Sequence, residues 1–393
     1  MLQLLKNYLW HLPKAIIANV IYGFPARKLS LIGVTGTKGK TTTSHLIYYL
    51  LKESGFKVGL ISTIGAFLSG KEIDTGLHIT SPDPNELHKL LKLAVDSGIK
   101  YVVLEVTSNG LDQFRVWGIK FKVAVITNIY PDHLDYHGTM EKYVAAKAKI
   151  IRQAETVVVA KDSPYFEETK NKEQKIKNRI VAFESRGSMV SANRAAAVAA
   201  VEVLEIKSFK ELKKLKLLKM LENFSGVPGR METVYDKEFK VVIDFAHTPE
   251  SLAAALGELR KLVKKNGRLI AVLGCAGERD HGRRRMGEVA AKMADFFVIT
   301  AEDPRTENVE EISKEIAGYA IQAGAVEGKN FIRISDRQEA INFAIANAKS
   351  GDAIGLFGKG HEKSMCYGKT ERPWSEHEAV QKALKICAES LDI

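Results

Sequence analysis

The chain has 393 residues, 45% of them hydrophobic and 27% charged, and a formal net charge of +11. This length allows two or three domains with ample cores, and the composition is typical of a soluble globular protein. Its three cysteines have no metal or disulfide spacing, and no uncharged apolar stretch could span a bilayer, so we expect a protein of the reducing cytoplasm.

Residues 1–28 predict an amphipathic helical segment, because apolar side chains alternate there with Lys6, Lys14, Arg27 and Lys28. The segment is too short to bury a core of its own, which excludes an independent domain. Its pattern suits a helix lying in an anionic membrane interface. It suits equally a helix packed on the following domain or on a partner subunit, and the residues leave both possibilities open.

A glycine-rich turn follows the apolar run at 29–32, and residues 33–43 read Gly-Val-Thr-Gly-Thr-Lys-Gly-Lys-Thr-Thr-Thr. Strand, glycine turn and helix in this order predict a phosphate-binding loop, although Val34 stands where the general pattern has its first glycine. Backbone N–H groups of such a loop cradle phosphates, while Lys40 adds positive charge and Thr41 can bind Mg²⁺. The predicted ATP-binding residues of the loop are Gly36, Thr37, Gly39, Lys40, Thr41 and Thr42.

Strands and helices alternate from residue 31 onward, which predicts an α/β fold with mostly parallel sheets. Buried strands are predicted at 101–106, 123–127, 157–160, 241–245, 268–274, 296–300 and 353–357, and helices at 85–97 and 140–153. A breaker cluster at 224–229 predicts a domain junction. We therefore expect a central P-loop ATPase-type domain at 29–228 and a C-terminal Rossmann-like α/β domain at 229–393.

Two predicted strands of the first domain end in polar residues that point to metal chemistry. Glu105 ends one strand, and Asp132 and His133 follow the next, so all three are expected at the ligand-binding edge of the sheet. Mg²⁺ requires hard oxygen ligands, which Glu105 offers, whereas histidine is a less usual choice. Asp132 could equally cap a helix, and Lys147 and Lys149, taken alone, suit solvated helix charges, so these residues leave the metal site open.

Charged turns follow four strands of the second domain. They contain Asp244 and His247, then Arg279, then Asp303 and Arg305, then Gly358 and Glu362. Four such turns at one sheet edge predict a pocket for a zwitterionic or acidic ligand, which arginine can hold bidentately. The basic run at 207–219 predicts a solvated amphipathic helix, and no nucleic-acid-binding signature accompanies it.

Together these motifs resemble the Mur ligases, the ATP-dependent amide ligases of peptidoglycan synthesis, and among them the UDP-N-acetylmuramoyl-tripeptide synthetases (MurE type). The resemblance extends from about residue 30 to residue 374, nearly the whole chain. It rests on the segments at 36–42, 80–83, 132–138, 146–147, 229–232, 246–249, 303–305 and 358–362.

The resemblance implies a role for each matching residue. Lys40 and Thr41 would hold ATP phosphates and Mg²⁺, Glu105 and His133 would bind Mg²⁺, and Lys147 would be a carbamylated lysine that positions a second Mg²⁺ and the acyl phosphate. Further ATP contacts would be Asn193, Arg230, Asp244 and His247. The muramoyl dipeptide would bind at Thr80, Ser81, Thr107, Gln113 and Arg115, and the incoming amino acid at Arg279, Asp303, Arg305, Gly358 and Glu362.

The chain departs from the family pattern in three places. Thr107-Ser108-Asn109 stands where the family usually has Ser-Ser-His, and Asp303 replaces an asparagine, which changes the charge near the amino-acid site. The third departure is the short segment before the loop, where family members carry a domain that binds the uridine nucleotide. We therefore do not expect residues 1–28 to recognise UDP in the usual way.

We predict an ATP-dependent ligase that converts a peptide carboxylate into an acyl phosphate, which the amine of an amino acid then attacks. Arg305 favours meso-diaminopimelate, because a guanidinium can hold its distal carboxylate bidentately. The alternatives are a folylpolyglutamate synthase, an amidation subunit of the MurT type, and a non-catalytic nucleotide-binding or nucleic-acid-associated protein. The sequence leaves the oligomeric state open.

Overall fold

A computed structural model of the chain describes residues 2–73, 75, 81–130, 132–162, 179–184, 188–204 and 214–391. The chain divides into two compact units, Met1–Ser225 and Gly226–Ile393, each an α/β sandwich with its own hydrophobic core. Among the described residues, no helix is both long and apolar enough to cross a membrane.

The first unit is built on an eight-stranded sheet. Its strands are β1 (Ser30–Thr35), β2 (Val58–Ile61), β3 (Ala66–Leu68), β4 (Lys71–Ile73), β5 (Tyr101–Glu105), β6 (Phe121–Ile126), β7 (Ala154–Ala160) and β8 (Arg179–Phe183). Its α-helices are Leu2–Lys6, Leu12–Ile21, Lys40–Glu53, Pro84–Asp96, Ser108–Asp112, Leu134–His137, Met140–Ala148, Met189–Glu202 and Lys214–Glu222. A π-helical turn, Asn7–His11, joins the first two helices, and 3₁₀ turns span Pro25–Lys28 and Ile151–Gln153.

The strand order of this sheet is β4-β3-β2-β5-β1-β6-β7-β8. The strands from β2 to β8 in this order run parallel, and only β3 and β4 join in antiparallel fashion. After β1 the chain forms β2 and then β5, both on one side of β1. It then crosses to the other side of β1, where it forms β6. The carboxyl end of β1 therefore lies at a topological switch point, where open α/β sheets bind ligands.

The second unit has a six-stranded sheet in the order β13-β12-β11-β14-β10-β9, parallel except for β9. Its strands are β9 (Glu232–Asp236), β10 (Lys240–Asp244), β11 (Leu269–Leu273), β12 (Phe296–Ile299), β13 (Phe331–Arg333) and β14 (Ala353–Phe357), and β15 (Ser364–Tyr367) and β16 (Thr370–Pro373) form a hairpin. Its α-helices are Pro249–Arg260, Met286–Met293, Val309–Gln322, Arg337–Ala346 and Glu376–Leu391, with a 3₁₀ turn at His281–Arg285.

The α/β architecture with mostly parallel sheets is confirmed, and the predicted strands match to within a few residues. The helix predicted at 140–153 is shorter, since it ends at Ala148 and a separate 3₁₀ turn covers Ile151–Gln153. Of the basic helix predicted at 207–219, residues 207–213 lie outside the described part, and the helix Lys214–Glu222 accounts for the rest.

Candidate active site

The phosphate loop connects β1 to the helix Lys40–Glu53 through two glycines that no other residue could replace without strain. Gly36 and Gly39 have φ angles of 151° and 78°. A Cβ atom at Gly36 would lie 1.9 Å from Thr127 Oγ1, and one at Gly39 would lie 2.2 Å from Asn193 Oδ1. The loop therefore packs tightly against its neighbours and leaves its backbone open to a ligand at the helix N-terminus.

Residues after β6 hold this loop in place. The backbone N–H of Lys38 donates to Asn128 Oδ1 at 2.8 Å, and that of Thr37 donates to the Asn128 carbonyl oxygen at 3.0 Å. Thr127 Oγ1 donates to the carbonyl oxygen of Lys38 at 2.7 Å. Two neighbouring parallel strands thus fix the loop before any ligand binds, which lowers the entropic cost of binding.

Lys40 and Asn193, both predicted to contact ATP, lie at the loop. Lys40 Nζ donates to the carbonyl oxygen of Thr37 at 3.1 Å, so its charge lies over the loop. Asn193 is buried beside Gly39, and its Oδ1 accepts a hydrogen bond of 3.4 Å from Thr43. Thr42 lies in the first turn of the same helix.

Glu105 lies at the carboxyl end of β5, buried beside the loop. Its carboxylate accepts hydrogen bonds from the hydroxyl of Thr41 at 3.0 Å and from the hydroxyl and N–H of Thr63 at 2.9 and 3.0 Å. This cluster of hard oxygen atoms next to a phosphate loop fits Mg²⁺. Among the described residues, here or elsewhere, no three His, Cys, Asp or Glu side chains come together as a metal-binding group.

Lys147 is fully buried, which corrects the expectation, made from its helix alone, of a solvated charge. Its Nζ donates to the carbonyl oxygen of Gly36 at 2.7 Å and lies 4.6 Å from the ring centroid of Tyr143. Burial, and then the neighbouring Lys40, hold the pKa of the Lys147 ammonium well below its ordinary value. The lysine therefore lies directly under the phosphate loop.

Tyr143 connects three of the predicted site residues. Its hydroxyl lies 2.9 Å from Thr37 Oγ1, its ring contacts Lys147, and the His133 ring centroid lies 6.4 Å away. His133 itself is half exposed, with a φ of 52° and its Nε2 3.6 Å from Asp132 Oδ2. Lys149, by contrast, is partly exposed and forms a 2.6 Å ion pair with Asp112.

The residues predicted to bind the peptide acceptor form one hydrogen-bonded group beside Glu105. The Ser81 hydroxyl accepts from the N–H of Thr107 at 3.0 Å and lies 3.5 Å from the carbonyl oxygen of Glu105. Arg115 donates to the Ser81 carbonyl at 2.5 Å and to Gln113 Oε1 at 2.8 and 3.0 Å. Thr80 lies outside the described residues.

In the second unit, three residues predicted to contact ATP gather at the end of β10. Asp244 accepts hydrogen bonds from the N–H groups of Met231 and Ala246 at 2.7 and 2.9 Å, and burial raises the pKa of its carboxyl group. The Arg230 guanidinium stacks 4.6 Å from the centroid of Phe245. The Nδ1–H of His247 donates to the Phe245 carbonyl at 2.8 Å.

The residues predicted to bind the amino acid surround a buried lysine. Lys359 Nζ contacts Asp303 Oδ1 at 2.7 Å and Glu362 Oε2 at 2.5 Å, so one cation is shared between Glu362 and the aspartate that replaces the family's asparagine. Although burial favours the neutral amine, the two carboxylates raise the pKa of Lys359 above its ordinary value. Cys366 N–H donates to Asp303 at 2.9 Å.

Two arginines lie next to this ionic cluster. Burial and the proximity of Arg305 lower the pKa of Arg279, and Asp303 and Glu362 oppose that effect. The backbone of Arg305 is fixed at a φ of 54° by hydrogen bonds to Cys366 and Gly368. Two cationic side chains whose charges repel each other favour an anionic ligand nearby.

Gly358, directly after β14, packs against the side chain of Glu302. It has a φ of 109°, and a Cβ atom there would lie within 2.9 Å of the Glu302 carboxyl group. Burial raises the pKa of Glu302 to about 8. The charged turns after β10, β11, β12 and β14 therefore lie next to one another at the carboxyl edge of this sheet.

Sequence reasoning missed Thr63, Tyr143, Glu302 and Lys359 as parts of the site. Tyr143 and Val144 lie four and three positions before Lys147, so helical spacing could have placed the lysine on the apolar face. Thr63 follows β2, whose pairing with β5 brings it to Glu105. That pairing is a property of the folded sheet and has no local signal in the sequence.

Comparison with known proteins places this geometry in a family. Residues 34–226 match the Mur ligase middle domain, and residues 229–360 match the Mur ligase, glutamate ligase domain. The chain belongs to the Mur ligase family. It is therefore an ATP-dependent amide ligase, and the resemblance inferred from the motifs is confirmed.

Curated relatives of this Mur ligase match almost its whole length. UDP-N-acetylmuramoyl-L-alanyl-D-glutamate--2,6-diaminopimelate ligase 1 of Clostridium acetobutylicum is 35% identical over 401 residues, covering 94% of this chain and 81% of the relative. The corresponding ligase of Aquifex aeolicus is 36% identical over 400 residues, covering 93% and 80%.

Solved structures show the same fold. A UDP-N-acetylmuramoyl-L-alanyl-D-glutamate--2,6-diaminopimelate ligase superposes with a TM-score of 0.61 at 28% identity, covering 91% of this chain and 78% of that one. E. coli FolC in complex with ADP superposes with a TM-score of 0.71 at 19% identity, covering 97% and 95%. The FolC likeness concerns the fold alone, so the diaminopimelate ligases are the relatives that bear on function.

Proposed function

We propose that this Mur ligase adds meso-diaminopimelate to an acceptor of the muramoyl-L-alanyl-D-glutamate type in peptidoglycan synthesis. The relatives that match more than nine-tenths of the chain are named for this reaction. The observation in the structure that carries the proposal is the pair of arginines, Arg279 and Arg305, beside the Asp303–Lys359–Glu362 cluster. Cationic and anionic groups side by side suit a zwitterion with an additional carboxylate.

ATP and Mg²⁺ are the proposed cofactors. Thr41 and Glu105 would hold the metal, with His133 and a carbamylated Lys147 as the further ligands that the family resemblance implies. Mg²⁺ supplies charge neutralisation of the phosphates. Support comes from the loop geometry and from Yersinia pestis folylpolyglutamate synthase, a fold relative described as complexed with AMPPNP and Mn ion.

The proposed reaction has two steps. A carboxylate oxygen of the acceptor attacks the γ-phosphorus of ATP, the bond to the bridging oxygen breaks, and ADP leaves. The amine of the amino acid then attacks the acyl carbon, loses a proton, and expels inorganic phosphate as the amide bond forms. Lys40 stabilises the charge that develops on the transferred group, and Arg115 and Ser81 orient the acceptor.

A phosphate-release assay tests this proposal. The purified chain is incubated with ATP, Mg²⁺, a muramoyl-L-alanyl-D-glutamate acceptor and one amino acid at a time. We expect release that requires both acceptor and amino acid, and is fastest with meso-diaminopimelate. Release that depends on a folate and glutamate would support the folylpolyglutamate synthase alternative, and release independent of any acceptor would contradict both.

Arg305→Ala should abolish the preference for diaminopimelate over lysine. We expect the ratio of kcat/KM for the two amino acids to fall at least about 30-fold, because truncating one partner of a desolvated charge pair costs about 2–5 kcal/mol. Arg285→Ala is the matched control, since Arg285 is exposed and paired with Glu288. An unchanged ratio in Arg305→Ala would remove Arg305 from the specificity site.

We place this activity in the cytoplasm, where ATP and the soluble precursors of the cell wall are found.

A further inference from the structure

The segment Leu2–Ile21 reverses the usual arrangement of an amphipathic helix. Its buried face is small and polar, made of Asn7, Ala15, Ala18 and Asn19. Its solvent face carries large apolar side chains, each more than half exposed: Leu5, Leu9, Trp10, Ile17, Val20 and Ile21. In the described part of the chain, more than half of the exposed large hydrophobic residues lie in this one segment.

Specific contacts hold the segment in this orientation. Asn7 Nδ2 donates to Asp112 Oδ2 at 2.8 Å, and Asn19 Nδ2 donates to the carbonyl oxygen of Trp117 at 3.0 Å. Lys14 forms a 2.7 Å ion pair with Asp83. Because these polar anchors hold the inner face, rotating the helix to bury its apolar face would break them. The exposed apolar surface is therefore a stable property of the fold.

The charge of the segment restricts which partners fit this surface. The first acidic residue of the chain is Glu53, so residues 1–28 contain only positive charges, from Lys6, Lys14, Arg27 and Lys28. The acidic neighbours Asp83 and Asp112 belong to the rest of the first unit and contact Lys14 and Asn7. Apolar side chains in a segment whose own charged residues are all cationic match an anionic lipid surface, and exposed Trp10 is typical of the lipid headgroup level. Contact between two copies through this face would bring like charges together, which disfavours a dimer.

We propose that the face formed by Leu5, Leu9, Trp10, Ile17, Val20 and Ile21 docks the enzyme on an anionic membrane. The helix lies in the interface with these side chains among the headgroups and upper acyl chains. Apolar burial supplies part of the affinity, and attraction of the lysines and arginine to anionic lipids supplies the rest.

Docking would also bring the acceptor site close to the membrane surface, a consequence that rests on the proposed function. Gln3 Nε2 donates to the hydroxyl of Tyr136 at 3.1 Å, and Gln113 Nε2 donates to the same hydroxyl at 3.3 Å. Asp83, the partner of Lys14, lies two residues after Ser81. The membrane-facing helix thus forms a hydrogen bond and an ion pair with neighbours of the residues predicted to bind the acceptor. Docking would therefore hold the acceptor site beside the bilayer.

Vesicle co-sedimentation of the full chain, without nucleotide or substrate, tests docking separately from catalysis. The probes are vesicles of phosphatidylglycerol with phosphatidylcholine, and vesicles of phosphatidylcholine alone. We expect binding to the anionic vesicles that is at least tenfold stronger than to the neutral ones and weakens as salt is raised. Leu9→Asp with Ile17→Asp should lower the partition coefficient at least tenfold.

Ile321→Asp with Val326→Asp is the matched control, since both residues are exposed apolar side chains of the second unit and should leave binding unchanged. Equal melting temperatures show that each variant is folded. Equal sedimentation of the wild type and the Leu9/Ile17 variant would overturn the proposal. So would a wild-type dimer in light scattering that the Leu9/Ile17 variant dissociates while neither binds vesicles, because that result assigns the face to a second copy.

Discussion

Lys40→Ala should abolish amino-acid-dependent phosphate release while leaving the fold intact. The Lys40 ammonium lies over the phosphate loop, and the Lys40 side chain is not part of the hydrophobic core. We therefore expect Lys40 to act on the bound ligand and not on stability. Removing a charge aimed at the transferred phosphoryl group should lower kcat by about 10³-fold or more, or about 4 kcal/mol. Steady-state kinetics of the purified variant measure this loss.

Lys52→Ala is the control for this variant, because Lys52 is an exposed lysine in the last turn of the same helix. It should retain wild-type turnover, and both variants should melt near the wild-type temperature. Wild-type turnover in Lys40→Ala would refute the phosphate-transfer mechanism, and loss of turnover in Lys52→Ala would show that the helix tolerates no substitution.

Lys147→Ala should be nearly inactive because we predict that Lys147 is carbamylated. A buried amine beside Lys40 is disfavoured as a cation, and a neutral amine can attack CO₂ to give a carbamate and a proton. The product is an anion next to Lys40 and the Thr41–Glu105 cluster, where it would hold a metal. We expect kcat to fall about 10²-fold or more, with partial rescue by short carboxylic acids that occupy the vacated space.

Carbon-13 NMR with labelled bicarbonate detects the carbamate directly. The wild type and Lys142→Ala should show the same carbamate signal, since Lys142 is exposed on the same helix, and Lys147→Ala should lack it. A wild-type spectrum without a carbamate signal, at saturating bicarbonate and Mg²⁺, would show that Lys147 acts as a plain amine.

The sequence predicted the phosphate loop and the sheet-edge position of Glu105, because both depend on local signals. The loop needs two glycines with positive φ angles, and a residue that ends a parallel strand must lie at the ligand edge. Lys147 was harder to place, since its burial depends on how the helix Met140–Ala148 packs under Gly36. Thr63 depends on the pairing of β2 with β5, a contact between segments distant in sequence.

Contacts between segments that are distant in sequence also decide the site in the second unit. Asp303 raised the expectation of an altered charge near the amino-acid site, and the structure pairs it with buried Lys359 from a turn more than fifty residues later. Lys359 also pairs with Glu362, so one cation is shared between two carboxylates. The residues of the N-terminal segment are compatible with packing and with membrane contact, and the structure packs the polar face on the first unit and leaves the apolar face exposed.

Glu105 contacts two different groups of residues, one through its carboxylate and one through its backbone carbonyl. This double role restricts which substitutions the enzyme can accept during evolution. The Glu105 carboxylate accepts hydrogen bonds from the Thr41 and Thr63 hydroxyls beside the phosphate loop, while its backbone carbonyl lies 3.5 Å from the hydroxyl of Ser81, a residue proposed to bind the acceptor. A shift of β5 would disturb both subsites at once. New acceptor preferences should therefore arise at Gln113 and Arg115, which contact each other and the Ser81 backbone rather than the Glu105 carboxylate.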